Sequence, residues 1–156
     1  MQYIQSPKTI QGCIFCDALA ESDDLTNLVV VRGQRAFVML NRYPYTTGHV
    51  MVVPVDHLSS LEKLDPPTRA EIMELAARSI QILEAVYHPQ GFNVGINIGE
   101  AAGAGIVDHV HMHVVPRWSG DTNFMSTLGM TRVLPEILED TYRRLKTGWD
   151  ALEGSA

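Results

Sequence analysis

Residues 108–118 read DHVHMHVVPRW, and three of the chain's six histidines, His109, His111 and His113, fall there at alternate positions. Alternation with Val110, Met112 and Val114 has the period of an extended strand, on which side chains at i, i+2 and i+4 share a face. The imidazoles are therefore expected to form a row, spaced by about 6.6 Å along the chain. A single buried histidine commonly just fills the inner face of a strand. Three in register would each need a polar partner once desolvated, which weighs against mere filling. One metal held by all three is excluded by reach: His109 and His113 are about 13 Å apart at the backbone, whereas zinc ligands sit about 2.0–2.1 Å from the ion. What remains is a division of labour, one histidine acting as nucleophile or general acid and another serving a metal or orienting its neighbour. An imidazole with an ordinary pKa near 6.5 offers a neutral, nucleophilic nitrogen at neutral pH.

The flanking sequence supplies the frame for such a row. LVVVRG (28–33), AFVML (36–40), GHVMVVP (48–54) and FNVGINI (92–98) are, like HVHMHVV (109–115), short branched runs bounded by Gly, Pro or Asn, and read as strands. Asp65-Pro66-Pro67 is a cap-plus-proline start, after which Ile72, Leu75, Ala76, Ile80, Leu83 and Tyr87 recur at helical spacing. A second helix is expected from Pro135, with Leu138, Tyr142 and Leu145 on one face. Three strands in succession, one long helix, then two strands is not the regular alternation of a parallel sheet. The expected fold is α+β: an antiparallel sheet of about five strands with helices on one face.

A chain of 156 residues fits one domain. The net charge of −6, with three lysines against nine arginines, argues against a nucleic-acid polymer as partner but leaves room for a small anion. The glycines of IGEAAGAGIVDH (98–109) and Arg117 just after the row suit a phosphate. No apolar run approaches the ~20 residues that span a bilayer, and the opening MQYIQSPKTIQGC lacks the features of a signal peptide, so a cytoplasmic location is expected. Cys13 and Cys16 are too few for a disulfide framework; they are a redox pair, half of a metal site, or buried thiols. Trp149 and the tail DALEGSA either reach a partner or are disordered.

HVHMHVV resembles the signature of the histidine triad (HIT) superfamily of nucleotide hydrolases and transferases. FVMLNRYPYTTGHVMVVPVDH (37–57) is similar to that family's Asn-bearing strand pair. GFNVGINIGEAAGAGIVDHVHMHVVPRWSGDTNFM (91–125) resembles a bacterial branch that includes diadenosine tetraphosphate phosphorylases, notably at Trp118, Gly120, Asp121 and Asn123. The likeness covers about residues 12–147 of a single HIT domain. It implies that His111 attacks the α-phosphorus to form a nucleotidyl-histidine, that His113 contacts the phosphate and assists the leaving group, and that Asn41 holds the ribose. Asn97, Arg117 and Trp118 join the expected nucleotide-binding set. It further implies a structural zinc on Cys13, Cys16, His57 and His109, inorganic phosphate as acceptor, and a homodimer. Many members carry a polar side chain where this chain has Gly105 and Ile106; a backbone amide of the glycine-rich loop is expected in its place. The rival readings are a dinucleoside polyphosphate or nucleoside phosphoramidate hydrolase and, from another class, a slow nucleotide-binding signalling module. His49 and His88 are read as structural.

Overall fold

The computed structural model describes residues 12–122 and 136–154; Asn123 and Pro135 lie outside them. The strands are β1 (Val29–Arg32), β2 (Ala36–Leu40), β3 (Val50–Pro54), β4 (Gly91–Ile96) and β5 (Met112–Arg117). They form one sheet in the order β1-β2-β3-β5-β4, every neighbouring pair antiparallel, as the expected α+β class requires. The helices are α1 (Ile14–Ala20), α2 (Asp24–Asn27), α3 (Pro66–Tyr87) and α4 (Leu138–Glu153). The sequence reading missed α1 and α2, whose seven and four residues are too few to show a helical period.

Capping and burial fix α3 at both ends. The Asp65 carboxylate accepts from the Thr68 backbone N–H at 2.9 Å, and the chain leaves the helix at His88 in the left-handed region. Ile72, Leu75, Ala76, Ile82 and Leu83 face the sheet, where Val30, Val38, Val50, Val52, Met112 and Val114 meet them. Helix α4 closes the same layer with Tyr142, Leu145 and Trp149. Trp149 is therefore neither a partner contact nor disordered: it is only 2% exposed, in the main core. Gly148 beside it permits this approach, since a Cβ there would lie 2.9 Å from Ile82 Cγ2.

The opposite face of the sheet is also covered. Phe37, Met39, Met51 and Val53 pack under Cys13, Phe15, Cys16 and Ala18 of the N-terminal segment. Because residues alternate between faces, His113, paired with Met51, lies on this second face.

One boundary differs from the sequence reading. Strand β5 begins at Met112, so His109 and His111 precede it. Its ladder with β3 stops at Val52↔Met112, because the Val110 N–H turns aside to the Leu58 carbonyl at 2.7 Å. The chain nonetheless keeps the three imidazoles in a row.

Candidate active site and metal centre

His109 is the buried end of the row. Its Nε2 lies 2.9 Å from the Pro54 carbonyl, which can only accept, so the ring proton is on Nε2 and Nδ1 keeps its lone pair. That nitrogen faces Cys13 Sγ at 3.4 Å and Cys16 Sγ at 3.7 Å, while His57 Nδ1 stands 3.3 Å from Cys16 Sγ. All four ligand atoms lie within 4.8 Å of one another. Zinc–sulfur and zinc–nitrogen bonds of about 2.3 and 2.0–2.1 Å at tetrahedral angles put sulfur and nitrogen about 3.6 Å apart, which the cluster matches. The bond from His109 Nε2 to a backbone carbonyl is also the support a metal-bound histidine normally has. Cys13, Cys16, His57 and His109 thus form a candidate closed, structural Cys2His2 centre.

His111 is oriented the other way. Its Nδ1 donates to the carbonyl of His109 at 2.9 Å, leaving Nε2 with the lone pair. Phe15, held between the two cysteines in sequence, lays its ring against both imidazoles, at centroid distances of 5.3 Å to His109 and 4.9 Å to His111. Burial pushes His109 down to about 4 and also lowers His111, so both rings stay neutral at neutral pH.

His113 depends on a residue the sequence reading took as structural. His49 is fully buried, and its Nε2 lies 2.9 Å from His113 Nδ1. The Tyr45 backbone N–H donates to His49 Nδ1 at 3.1 Å. A backbone N–H can only donate, so the His49 proton is on Nε2 and passes to His113 Nδ1 as a hydrogen bond. His113 then carries its own proton on Nε2. Burial, reinforced by His111, holds its pKa down to about 4. Tyr45 stacks nearly parallel to His113 at 6.1 Å and also touches His49 at 4.7 Å. His49 could have been found only from strand register: it precedes Met51 by two, and Met51 pairs with His113. Gly48 makes its placement possible, with φ +82° and a would-be Cβ only 2.8 Å from Leu83 Cδ2.

The other expected site residues divide. Asn41 follows β2, half-buried, with its side-chain oxygen accepting from the Tyr43 N–H at 2.9 Å and its own N–H bonded to the His49 carbonyl. Asn97 Nδ2 reaches the Gly103 carbonyl at 3.4 Å across the glycine-rich loop. Gly105 leaves open space where a Cβ would stand. Arg117 is not gathered into the row: its guanidinium binds Asp121 at 2.6 Å and Asn93 at 2.6 Å, and holds the Asp121 carboxyl well below the usual carboxylate range. Trp118 joins the same turn, its backbone N–H donating to the Asp121 carboxylate at 3.1 Å.

The HIT domain profile matches residues 23–120. The chain belongs to the HIT domain family. It is 44% identical over 131 residues to a Mycobacterium tuberculosis AP-4-A phosphorylase, covering 84% of this chain and 67% of that relative. Among solved structures, a zinc-bound histidine triad family protein from Mycobacterium smegmatis superposes with a TM-score of 0.74 at 28% identity, covering 93% of this chain and 98% of that one. The Plasmodium falciparum diadenosine triphosphate hydrolase shares the fold at a TM-score of 0.66 and 21% identity, over 80% of this chain and 77% of that one. The HIT fold thus frames both the histidine row and the cysteine–histidine cluster. Among the described residues, no helix is long and apolar enough to cross a membrane.

Proposed function

We propose that this HIT domain is a nucleotidyltransferase that cleaves dinucleoside polyphosphates of the diadenosine tetraphosphate type and passes the nucleotidyl group to inorganic phosphate. The observation that carries the reading is the opposite orientation of adjacent imidazoles: His111 offers a bare Nε2, and His113 an Nε2–H. In the first step His111 Nε2 forms a bond to the α-phosphorus and the bond from that phosphorus to the bridging oxygen breaks. The leaving ATP takes its electron pair and accepts a hydrogen bond from His113 Nε2–H. In the second, an oxygen of inorganic phosphate attacks the same phosphorus, the phosphorus–nitrogen bond breaks, and ADP departs. Asn41 holds the ribose, and Asn97 with the glycine loop lines the phosphate approach. Arg117 and Trp118 act at the rim, where the engagement of Arg117 by Asp121 shapes the turn after β5. Zinc, when bound, ties the N-terminal segment to the approach to β5. The resemblance to the tuberculosis phosphorylase supports phosphate over water as acceptor.

The protein works as a cytoplasmic homodimer in this reading, and β4, an edge strand with Val94 44% exposed, is the edge a second copy would cover. Incubation with diadenosine tetraphosphate, with and without inorganic phosphate, tests the chemistry. ADP plus ATP formed only with phosphate is expected. AMP plus ATP without phosphate identifies a hydrolase instead, and no turnover of dinucleotides or phosphoramidates leaves a binding module.

A further inference from the structure

Cys13 and Cys16 do more than face His109. Cys13 caps α1, and Cys16 lies in its first turn, with both sulfurs inside the 4.8 Å cluster. Their surroundings differ. Both are buried, but Cys13, 9% exposed, lines an open cleft of about 720 Å³ together with His57, Ser59, Lys63 and Asp108, whereas Cys16, 2% exposed, does not line it. A small oxidant entering the cleft therefore meets Cys13 first.

The cluster is also wired to the row. His109 receives both sulfurs on Nδ1 and gives its carbonyl to His111 Nδ1. Phe15, between the cysteines, contacts both imidazoles, at a near-perpendicular ring angle to His109 and tilted against His111. Drawing the sulfurs together to the ~2.05 Å of a disulfide removes two anionic ligands and pulls on the segment that carries Phe15.

We infer that Cys13 and Cys16 form a peroxide-sensitive latch: oxidation to a disulfide discharges the metal and loosens the hold on His111. The inference rests on the metal centre and, for its effect on turnover, on the proposed function. The Cys13 thiolate attacks one oxygen of hydrogen peroxide, the oxygen–oxygen bond breaks, and Cys13 becomes a sulfenic acid while the departing hydroxide takes a proton to form water. The Cys16 thiolate then attacks the Cys13 sulfur, expelling hydroxide, which takes a second proton. Two thiolates lose two electrons, one peroxide becomes two waters, and the zinc, stripped of both sulfur ligands, leaves.

The full-length zinc-loaded protein titrated with hydrogen peroxide tests this. Expected are one zinc released per disulfide formed, read with a chromogenic chelator, and an intact mass lower by two hydrogens. Turnover should fall about 5- to 13-fold in step with the zinc, as the loss of one orienting hydrogen bond of about 1–1.5 kcal/mol predicts. Dithiothreitol plus zinc should restore both. At partial oxidation, differential alkylation should find Cys13 modified first, and C16S should yield a dimedone adduct at Cys13 that C13S does not yield at Cys16. Zinc retained by a disulfide-bonded chain, zinc lost with both thiols still reduced, or Cys16 modified first in the wild type would overturn the latch. Full turnover after closure would overturn the coupling. Zinc and mass are read without substrate, so an enzyme inactive from the start refutes the proposed function alone.

Discussion

Replacing His49 with Phe keeps a ring of similar bulk but deletes both of its hydrogen bonds. Two groups lose partners: the Tyr45 N–H at 3.1 Å and His113 Nδ1 at 2.9 Å. Both residues are partly exposed and can recruit water, so each loss costs toward the lower end of the usual range, about 1 kcal/mol. The pair lowers stability by about 2 kcal/mol, a fall in Tm of about 4–8 °C for a chain of this size. The effect on chemistry comes from His113. Without His49 nothing requires its proton to sit on Nε2, where the proposed mechanism places it for the leaving group. A hydrogen bond worth about 1–1.5 kcal/mol in the transition state corresponds to a loss of about 5- to 13-fold in kcat/KM. His49→Gln, whose amide can accept from Tyr45 and donate to His113, should restore most of that loss. Nitrogen-15 NMR of the His113 ring reads the tautomer directly in the resting protein, and steady-state kinetics with diadenosine tetraphosphate and phosphate reads the consequence. A wild-type His113 protonated on Nδ1, or Phe and Gln variants equally impaired at an intact fold, would refute the relay.

Three other expectations follow from the same geometry. His111→Ala should abolish turnover and leave the fold and zinc content intact, whereas His109→Ala should mainly lower zinc content and thermal stability, measured by metal analysis and calorimetry. The burial that holds His113 down to about 4 favours its neutral form in the folded state, so its contribution to stability is complete above the ordinary value near 6.5 and is lost as pH falls from there through about 4. Urea midpoints should therefore drop less between pH about 7.5 and about 4.5 in His113→Asn than in the wild type. Gly148→Leu forces side-chain bulk into a gap where even a Cβ lies 2.9 Å from Ile82, and should cost about 1–3 kcal/mol in urea unfolding without changing KM.

The strands and the long helix were legible in the sequence because each rests on a local pattern, alternation or a cap followed by prolines. The metal cluster was legible only through the resemblance to the HIT family, since Cys13 and Cys16 alone left a redox pair, half of a metal site or buried thiols open, and His57 and His109 lie far from them in the chain. Trp149 was not, because a tryptophan in a polar, Gly-containing segment reveals its burial only when α4 is packed on Ile82 and Val38. His49 was not, because its role depends on register between β3 and β5, a relation between residues 64 apart in the chain. The start of β5 was misplaced for a similar reason: alternation continues through His109 and His111, but the ladder ends where Val110 bonds Leu58.

The division of labour along DHVHMHVVPRW is finally set by the backbone rather than by the histidines themselves. Identical imidazoles at equal spacing would have identical chemistry if each were free to choose its tautomer. The Pro54 carbonyl takes the Nε2 proton of His109 and turns Nδ1 toward the sulfurs. The His109 carbonyl takes the Nδ1 proton of His111 and bares Nε2. The Tyr45 N–H, acting through His49, leaves His113 with its proton on Nε2. In the proposed mechanism a ligand, a nucleophile and a donor arise from one side-chain type, because three backbone groups fixed by the fold assign three different protonation patterns. Side-chain identity alone carries none of that assignment, so substitutions that shift Pro54, Leu58 or the Tyr45 turn should change the chemistry of histidines they do not touch.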